Sequence, residues 1–536
     1  GLLAVGVLFT LWSRFGQWRS LTHGLRLLAG RVPGISGYGA GALSHFQALS
    51  AALSATVGLG NIGGVAIAVS IGGPGAVFWM WMVGFVGMAI KATEVTLALL
   101  YRDTSQADNP HGGTMWVCKK GFAELSPALA KAGAVAGGLF AVALILFGLT
   151  GANMFQAWNV AEITRSYFGV PSWISGLICA VVVGAVILGG IKRIGAVAGL
   201  MVPLMCAIYV ICGLGVLIAE ADQLPAMFRL IFACAFSETE GAGAFTGATL
   251  GVAFIFGMKR ALFSSEAGMG SAPIAHSAVK TPEPVTEGVV AGLEPFIDTL
   301  IVCTMTALVI LVSGVWQRGP AAVWETQPAL AQSAPNQWQP SSTRLPEGRT
   351  AWNTGDQVFV VVETSAGRRA RLYGEVIDVA HAQRVKWRPL RSAAQPRFAE
   401  RGIFVDYPAA TLTAIAFDSA FAGLGQWMVT LVVWLFAIST MIAWSYYGEQ
   451  GVIYLFGARW VTPYRWLWCA LIFVACLGFI RTDYELDTIS TVALGFMLAV
   501  NLPTMVILGS RAMHAWRDYF ERLDAGQIGA SREPSE

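Results

Sequence analysis

Long apolar runs, each closed by a short polar segment, dominate the chain. A bilayer core about 30 Å thick takes roughly 20 apolar residues in a helix. Runs of that kind recur at about 43–70, 75–100, 134–163, 172–190, 195–219, 225–259 (interrupted), 284–316, 423–446, 464–481 and 487–509. A further run, Gly1–Trp12, precedes them and is short because the chain opens inside it, so a processed or truncated first helix stays open. The pattern predicts an all-α polytopic membrane protein with eleven transmembrane helices, one leading helix and ten core helices. Residues 317–411 depart from it, being rich in Pro, Gln, Arg and Ser, with alternating segments at Gln357–Thr364 and Arg371–Val379. That stretch reads as a small, partly β, extracytoplasmic insertion; a mostly disordered loop is an equal alternative over 317–350.

Basic residues sort by side. Arg14, Arg19, Arg26 and Arg31 precede core helix one; Arg102, Lys119 and Lys120 follow helix two; Lys192 and Arg193 follow helix four. Lys259, Arg260 and Lys280 follow helix six, Arg459 and Arg465 helix eight, and Arg511, Arg517 and Arg522 helix ten. Short basic loops face the cytoplasm, which predicts an inner-membrane protein with its N-terminus outside and its C-terminus cytoplasmic. The segments are then a leading helix and linker (1–42), a first repeat (43–219), the start of a second (220–316), the insertion, the rest of the second repeat (412–509) and a tail (510–536).

Composition agrees. Of 536 residues, 55% are hydrophobic and 12% charged, against about 25% charged in soluble domains, which excludes a soluble enzyme. A net charge of +3 excludes a nucleic-acid binder. Eight cysteines lie without CxxC spacing, so neither a zinc site nor a disulfide framework is indicated. The partners to expect are lipid and a small solute.

Helix chemistry fails first at Ala55-Thr56-Val57-Gly58-Leu59-Gly60-Asn61-Ile62-Gly63-Gly64-Val65. Each glycine weakens a helix by roughly 1 kcal/mol relative to Ala, and unwound backbone at membrane depth survives only inside protein or beside a watery cavity. Broken helices aim N–H groups at an anion and carbonyls at a cation, so an amino-acid carboxylate and Na⁺ are the natural pair; close helix packing by small residues is the alternative. A second glycine-rich interruption lies at Glu240–Gly247, with Gly243 and Thr246 as solute-binding candidates. Helices one and six each open a group of five, and five being odd, the groups run in opposite directions, an inverted repeat whose paired breaks mark the binding site. Ser439 and Thr440 in helix eight offer hard oxygen ligands for a small cation, or bond back to a carbonyl one turn earlier. Gln156 and Asn153 share a face of helix three and bind either solute or a neighbouring helix. Asp298 in helix seven compensates a cation or joins Thr299 in a structural network. Lys91 and Glu94 read as an ion pair, and His276 as a structural residue of a cytoplasmic segment.

Three stretches resemble the alanine/glycine:cation symporters, also called sodium:alanine symporters. They are Ala55–Ala66, Gly72-Gly73-Pro74-Gly75-Ala76-Val77-Phe78-Trp79-Met80-Trp81, and Lys259-Arg260-Ala261-Leu262-Phe263-Ser264-Ser265-Glu266-Ala267-Gly268-Met269-Gly270-Ser271-Ala272-Pro273, supported by Trp444–Glu449. The resemblance covers about 40–316 and 412–509. It implies the LeuT-type fold of five-plus-five inverted repeats with an extra leading helix, and Na⁺-coupled uptake of alanine or glycine, with H⁺ in place of Na⁺ in some members. It places one sodium at Ser54, Val57, Ala437, Ser439 and Thr440, and the solute carboxylate on the backbone of Leu59 and Gly60 beside Asn61, with Thr56 and Gly58 in the same break. Departures from the family pattern stand at Ser265, Leu59 and Trp158, and in the 317–411 insertion. The rival reading is a sensor or receptor that keeps the fold while the insertion recruits a protein partner. An enzyme is the weakest reading, since no nucleophile–base or metal constellation is present.

Overall fold

The structure is a computed structural model that describes residues 1–32, 39–346, 352–364, 367–379, 382–407, 409–479 and 483–528. It is mostly helical. The principal helices are α1 (Leu2–Trp12), α2 (His45–Thr56), α3 (Val65–Gly72), α4 (Gly75–Tyr101), α5 (Ala130–Leu149), α6 (Phe155–Phe168), α7 (Ser172–Ile187), α8 (Gly190–Ala219), α9 (Leu224–Ala235), α10 (Leu250–Ser265), α11 (Ala272–His276), α12 (Pro284–Ala291), α13 (Thr304–Val312), α14 (Ala409–Asp418), α15 (Leu424–Phe456), α16 (Val461–Ala475) and α17 (Asp483–Asp524). Wide π turns join α2 to α3 at Gly60–Gly64, α5 to α6 at Thr150–Met154, and α12 to α13 at Phe296–Cys303. Among the described residues, six continuous helical runs are long and apolar enough to cross a membrane. The pair α2 and α3, bent by 54°, makes a seventh.

Glycines let these helices approach. A Cβ on Gly75, at the start of α4, would overlap the carbonyl of Cys234 in α9, and one on Gly257 of α10 would overlap the carbonyl of Ala76. Gly73 turns the chain between α3 and α4 at φ +71°, where L side chains are strained. The Gly-Gly-Pro-Gly run is thus a packing corner at the far end of α3.

Core helix six differs from the expectation. The predicted run 225–259 is two helices, α9 and α10, separated by irregular chain over 236–249, and α10 continues six residues further to Ser265. Lys259 and Arg260 therefore lie within α10 and not in a loop after it; the Arg260 side chain runs 3.6 Å from where Gly64 would carry a Cβ. Interruption comes after Ser265, where Glu266 adopts φ +52° before α11 begins.

The insertion carries two sheets. The smaller has strand order β1 (Leu330–Ala334), β2 (Gln337–Pro340), β6 (Leu390–Arg391); in the larger β5 (Ala382–Trp387), β4 (Arg369–Val379), β3 (Gln357–Glu363) and β7 (Arg397–Phe398) lie in line and β8 (Phe404–Val405) also pairs with β3. The Val-rich β3 is buried on both faces, as a strand with no polar alternation must be. Val358, Val360 and Val362 join Leu372, Val376 and Val385, while Phe359 and Val361 pack with Phe404 and Ala244. The insertion touches the far end of α3, where an Arg371 Nη donates to Ala244 O (2.9 Å) and reaches Ser70 O (3.5 Å). Basic residues gather at the opposite end of the bent α2–α3 pair. There Lys280 N donates to Leu43 O (2.8 Å), Arg102 binds Val279 O (2.8 Å), and Arg522 pairs with Glu283 (2.8 Å).

Candidate functional site

Helix α2 starts on a capping box. Ser44 Oγ accepts from Gln47 N, and Gln47 Oε1 accepts from Ser44 N. It ends at Thr56, where Val57 turns extended (φ −76°, ψ 94°). Asn61 then closes the break on itself, its Oδ1 accepting from Gly58 N (2.9 Å). Leu59 and Gly60 open the next helical turn, where backbone N–H groups have no intrahelical partner.

The far side of Asn61 reaches the other repeat. Its Nδ2 donates to Ser264 Oγ (2.9 Å) and lies 3.3 Å from both Asp298 O and Cys303 Sγ. Ser264 Oγ donates in turn to the Asp298 carboxylate (3.2 Å), which also accepts from Thr299 Oγ1. Asp298 is fully buried inside a hydroxyl network that includes Thr299, and this network binds the break in α2–α3 to the end of α10.

Beside the break, α15 comes close. Ser54 Oγ donates to Ser439 O (2.8 Å), and Ser439 Oγ reaches Phe436 O (2.8 Å) and Ser54 O (3.3 Å). Thr440 Oγ1 is buried with no hydrogen-bond partner, and a Cβ on Gly58 would come within 2.8 Å of it. Val57 and Ala437, their chain neighbours, are fully buried. Of the five positions that the resemblance implies for sodium, the contacts thus join Ser54 to Ser439, and Thr440 faces Gly58 beside Val57.

A cavity opens against this surface, walled by Thr56, Gly58, Leu59 and Gly60 of the break, Gln156 of α6 and Thr440. Gln156 lends its Nε2 weakly to Gly151 O (3.4 Å) and leaves its buried Oε1 without a partner. Asn153 turns away, donating to Trp468 O (3.0 Å).

The second break is elsewhere than predicted. Gly243 and Thr246 do not wall the cavity: a Cβ on Gly243 would overlap the carbonyls of Gln317 and Arg318, and Ala244 N donates to Arg318 O (2.9 Å), so the Glu240–Gly247 loop lies under the insertion. Its glycines serve left-handed turns at Gly243 (φ +54°) and Gly247 (φ +86°). Phe263 and Glu266 line the cavity instead, with Phe263 Cδ1 3.4 Å from where Gly60 would carry a Cβ. Glu266 is held by Trp444 Nε1 (3.0 Å) and Ser271 Oγ (2.5 Å). The glycine-dense Glu266–Ser271 stretch carried the signal, hidden by reading Lys259-Arg260 as the end of a span. Phe147 and Trp444, packed at 4.7 Å between ring centres, complete the wall; Trp444 opens the Trp444–Glu449 stretch of the family resemblance, without a site role assigned to it there, and Phe147 bears no sequence signature. His276, expected as a structural residue, lies fully buried between Glu287 and Glu294. Among the described residues no group of three or more His, Cys, Asp or Glu side chains is arranged to hold a metal ion.

The chain is similar in sequence and fold to known proteins. The chain is 33% identical over 507 residues to the sodium/alanine symporter AgcS of Methanococcus maripaludis, covering 95% of this chain and 90% of that one. It is 27% identical over 486 residues to the sodium/proton-dependent alanine carrier protein of a Bacillus species, covering 90% of each. The crystal structure of MhsT in complex with L-phenylalanine superposes with a TM-score of 0.53 at 12% identity, over 89% of this chain and 93% of that one, which shows a LeuT-like transporter fold. The profile described as the sodium:alanine symporter family matches residues 1–342 and 403–532, stopping on either side of the strands that build most of the insertion. An integral membrane transporter and not an enzyme, the chain belongs to the sodium:alanine symporter family.

Proposed function

We propose that the protein imports a small neutral amino acid, alanine or glycine, driven by sodium moving down its gradient, by alternating access. One observation carries this reading: Thr440 Oγ1, buried and unpartnered, stands beside Ser439 and the broken end of α2 on the wall of the cavity. Carbonyls of Ser54, Val57 and Ala437 with the hydroxyls of Ser439 and Thr440 form an all-oxygen set suited to a hard monovalent cation. The N–H groups of Leu59 and Gly60 suit the solute carboxylate, and Gln156 Oε1 suits its ammonium. Thr56 and Gly58 shape the wall, Asn61 holds the break open, and Asp298 fixes Asn61 through Ser264. The close aromatic wall favours a solute with a methyl group or hydrogen as its side chain.

We place the protein in the membrane with eleven spans, the N-terminus outside and the basic end, with the C-terminus, in the cytoplasm. The insertion, at the other end of α2–α3, is then extracytoplasmic. Counterflow of labelled alanine and glycine in proteoliposomes tests the function: sodium-dependent exchange is expected, and exchange indifferent to sodium over a wide range would exclude the sodium coupling.

A further inference from the structure

Away from the cavity lies a cluster of ionisable side chains that the transport site leaves unused. His276, the last residue of α11, has Nδ1 2.6 Å from Glu287 Oε1 and Nε2 2.6 Å from Glu294 Oε1, and all three are fully buried. The second oxygen of Glu287 meets Nδ1 of His45 in the first turn of α2. That of Glu294 lies 3.0 Å from Lys91 Nζ of α4, which is also 3.9 Å from Glu94. Glu94 accepts from Asn501 Nδ2 of α17 (3.0 Å). The expected Lys91–Glu94 pair is thus the weaker of two contacts.

Counting protons decides what the bridge holds. A neutral imidazole has a single N–H, yet both ring nitrogens of His276 face carboxyl oxygens at hydrogen-bond distance. A proton must occupy each gap, because a bare nitrogen facing a bare carboxylate in a dry interior would leave two acceptors opposed and unsatisfied. The bridge therefore stores one proton more than neutral histidine with two carboxylates. Its electrostatic surroundings are crowded. From α2 it faces His45, from α4 Lys91 and Glu94 and just after it Arg102, from the second break Glu266, from the turn before α13 Asp298, and from α15 Tyr447.

We propose that the Glu287–His276–Glu294 bridge is a proton-binding site whose occupancy fastens the half-helices α2 and α11 to α12, and whose release frees them to open that end of the bundle. When the imidazolium gives its proton to water, one N–H remains for two buried carboxylates. The unpaired one must be hydrated, which separates α11 from α12. Because α2 and α11 both lead into breaks that wall the cavity, the proton state reaches the solute. The inference rests on the transport reading for its functional readout, and on the bridge alone for its physical one.

The variant Glu287→Gln tests it. A glutamine amide donates to the bare ring nitrogen, so neutral His276 satisfies both neighbours and the extra proton is no longer needed, while Lys91 keeps Glu294. Thermal unfolding in detergent and alanine uptake in proteoliposomes are measured from about pH 6 to about pH 9, the range on either side of a histidine's ordinary titration. The parent is expected to lose stability and uptake as pH rises, by up to about tenfold per pH unit for one proton, and the variant to be flat. Superimposable profiles for the two proteins overturn the proposal. Should Glu287→Gln fail to fold, a pH dye in weakly buffered solution of the parent decides. Protons exchanged on adding sodium and alanine support the site, and none anywhere in that range overturns it. PH-sensitive melting in a parent that takes up no alanine at any pH would remove the transport reading and leave the proton site standing.

Discussion

Thr440 Oγ1 and Ser439 Oγ point at the same carbonyl-rich end of α2, so removing either hydroxyl takes a ligand from a small set. Ser439→Ala and Thr440→Ala are each expected to weaken the sodium dependence of uptake more than tenfold, above about 1.4 kcal/mol; an unchanged sodium titration in both would sink the assignment. Gly58 supplies an independent check from the opposite wall. Its added methyl would sit 2.8 Å from Thr440 Oγ1, so Gly58→Ala should reproduce the Thr440→Ala phenotype with every hydroxyl still present. Gly60 has room for a Cβ, which would meet Phe263 only at ordinary contact distance. Gly60→Leu should therefore fold and melt close to the parent while a branched side chain fills the cavity and abolishes alanine binding. A destabilised variant that still binds alanine would make Gly60 a packing residue.

At the scale of elements, the two halves of the site differed in legibility. Four glycines and an asparagine inside an apolar run announced the first break, and Ser439-Thr440 inside another announced the facing helix, because polar or flexible residues at membrane depth need a reason. The second break was misplaced to Gly243 and Thr246. Glycine density alone does not separate a turn packed on a neighbouring segment from a half-helix end, and a Lys-Arg pair within α10 imitates the end of a span. Phe147 looks like any lipid-facing aromatic until α5 and α15 are packed together. The linker after α1 carries its own prediction. His23 Nε2 lies 2.7 Å from Tyr519 Oη of α17, and burial, then Arg26 and Arg19, lower its pKa from 6.5 to about 4. The folded state thus resists a proton that the free segment accepts. This contact keeps its full strength above about pH 6.5 and loses it progressively as pH falls toward 4. Hydrogen exchange over residues 14–31 should accelerate on acidification through that range, and His23→Gln should remove the acceleration.

For the whole molecule, the hydrogen bonds that join the insertion to the bundle among the described residues are chiefly Arg371 to Ala244 O and Ala244 N to Arg318 O. None of the insertion's described residues lines the cavity. Replacing 320–408 with a short Gly/Ser linker should leave sodium-driven uptake measurable, and a cysteine at the exposed Ser333 should react with a membrane-impermeant reagent added outside intact cells. Labelling only from the cytoplasmic side would invert the topology. The alternation at Arg371–Val379 made that strand legible, whereas Gln357–Thr364, expected to alternate, is a continuous apolar run over Val358–Val362 whose burial on both faces depends partly on Ala244, far away in sequence.

The two ends of that insertion meet: Ala321 N donates to Ile403 O (2.9 Å) and Arg318 reaches Val405 O (2.8 Å). Adjacent ends mean that whatever is spliced between them leaves the spacing of the membrane helices untouched. Residues near 320 and 404 are thus a natural graft point, where a fluorescent protein or a rigid binding module could be exchanged for the native strands to report on the transporter from outside, or to give a small, featureless membrane particle a fiducial mark for imaging.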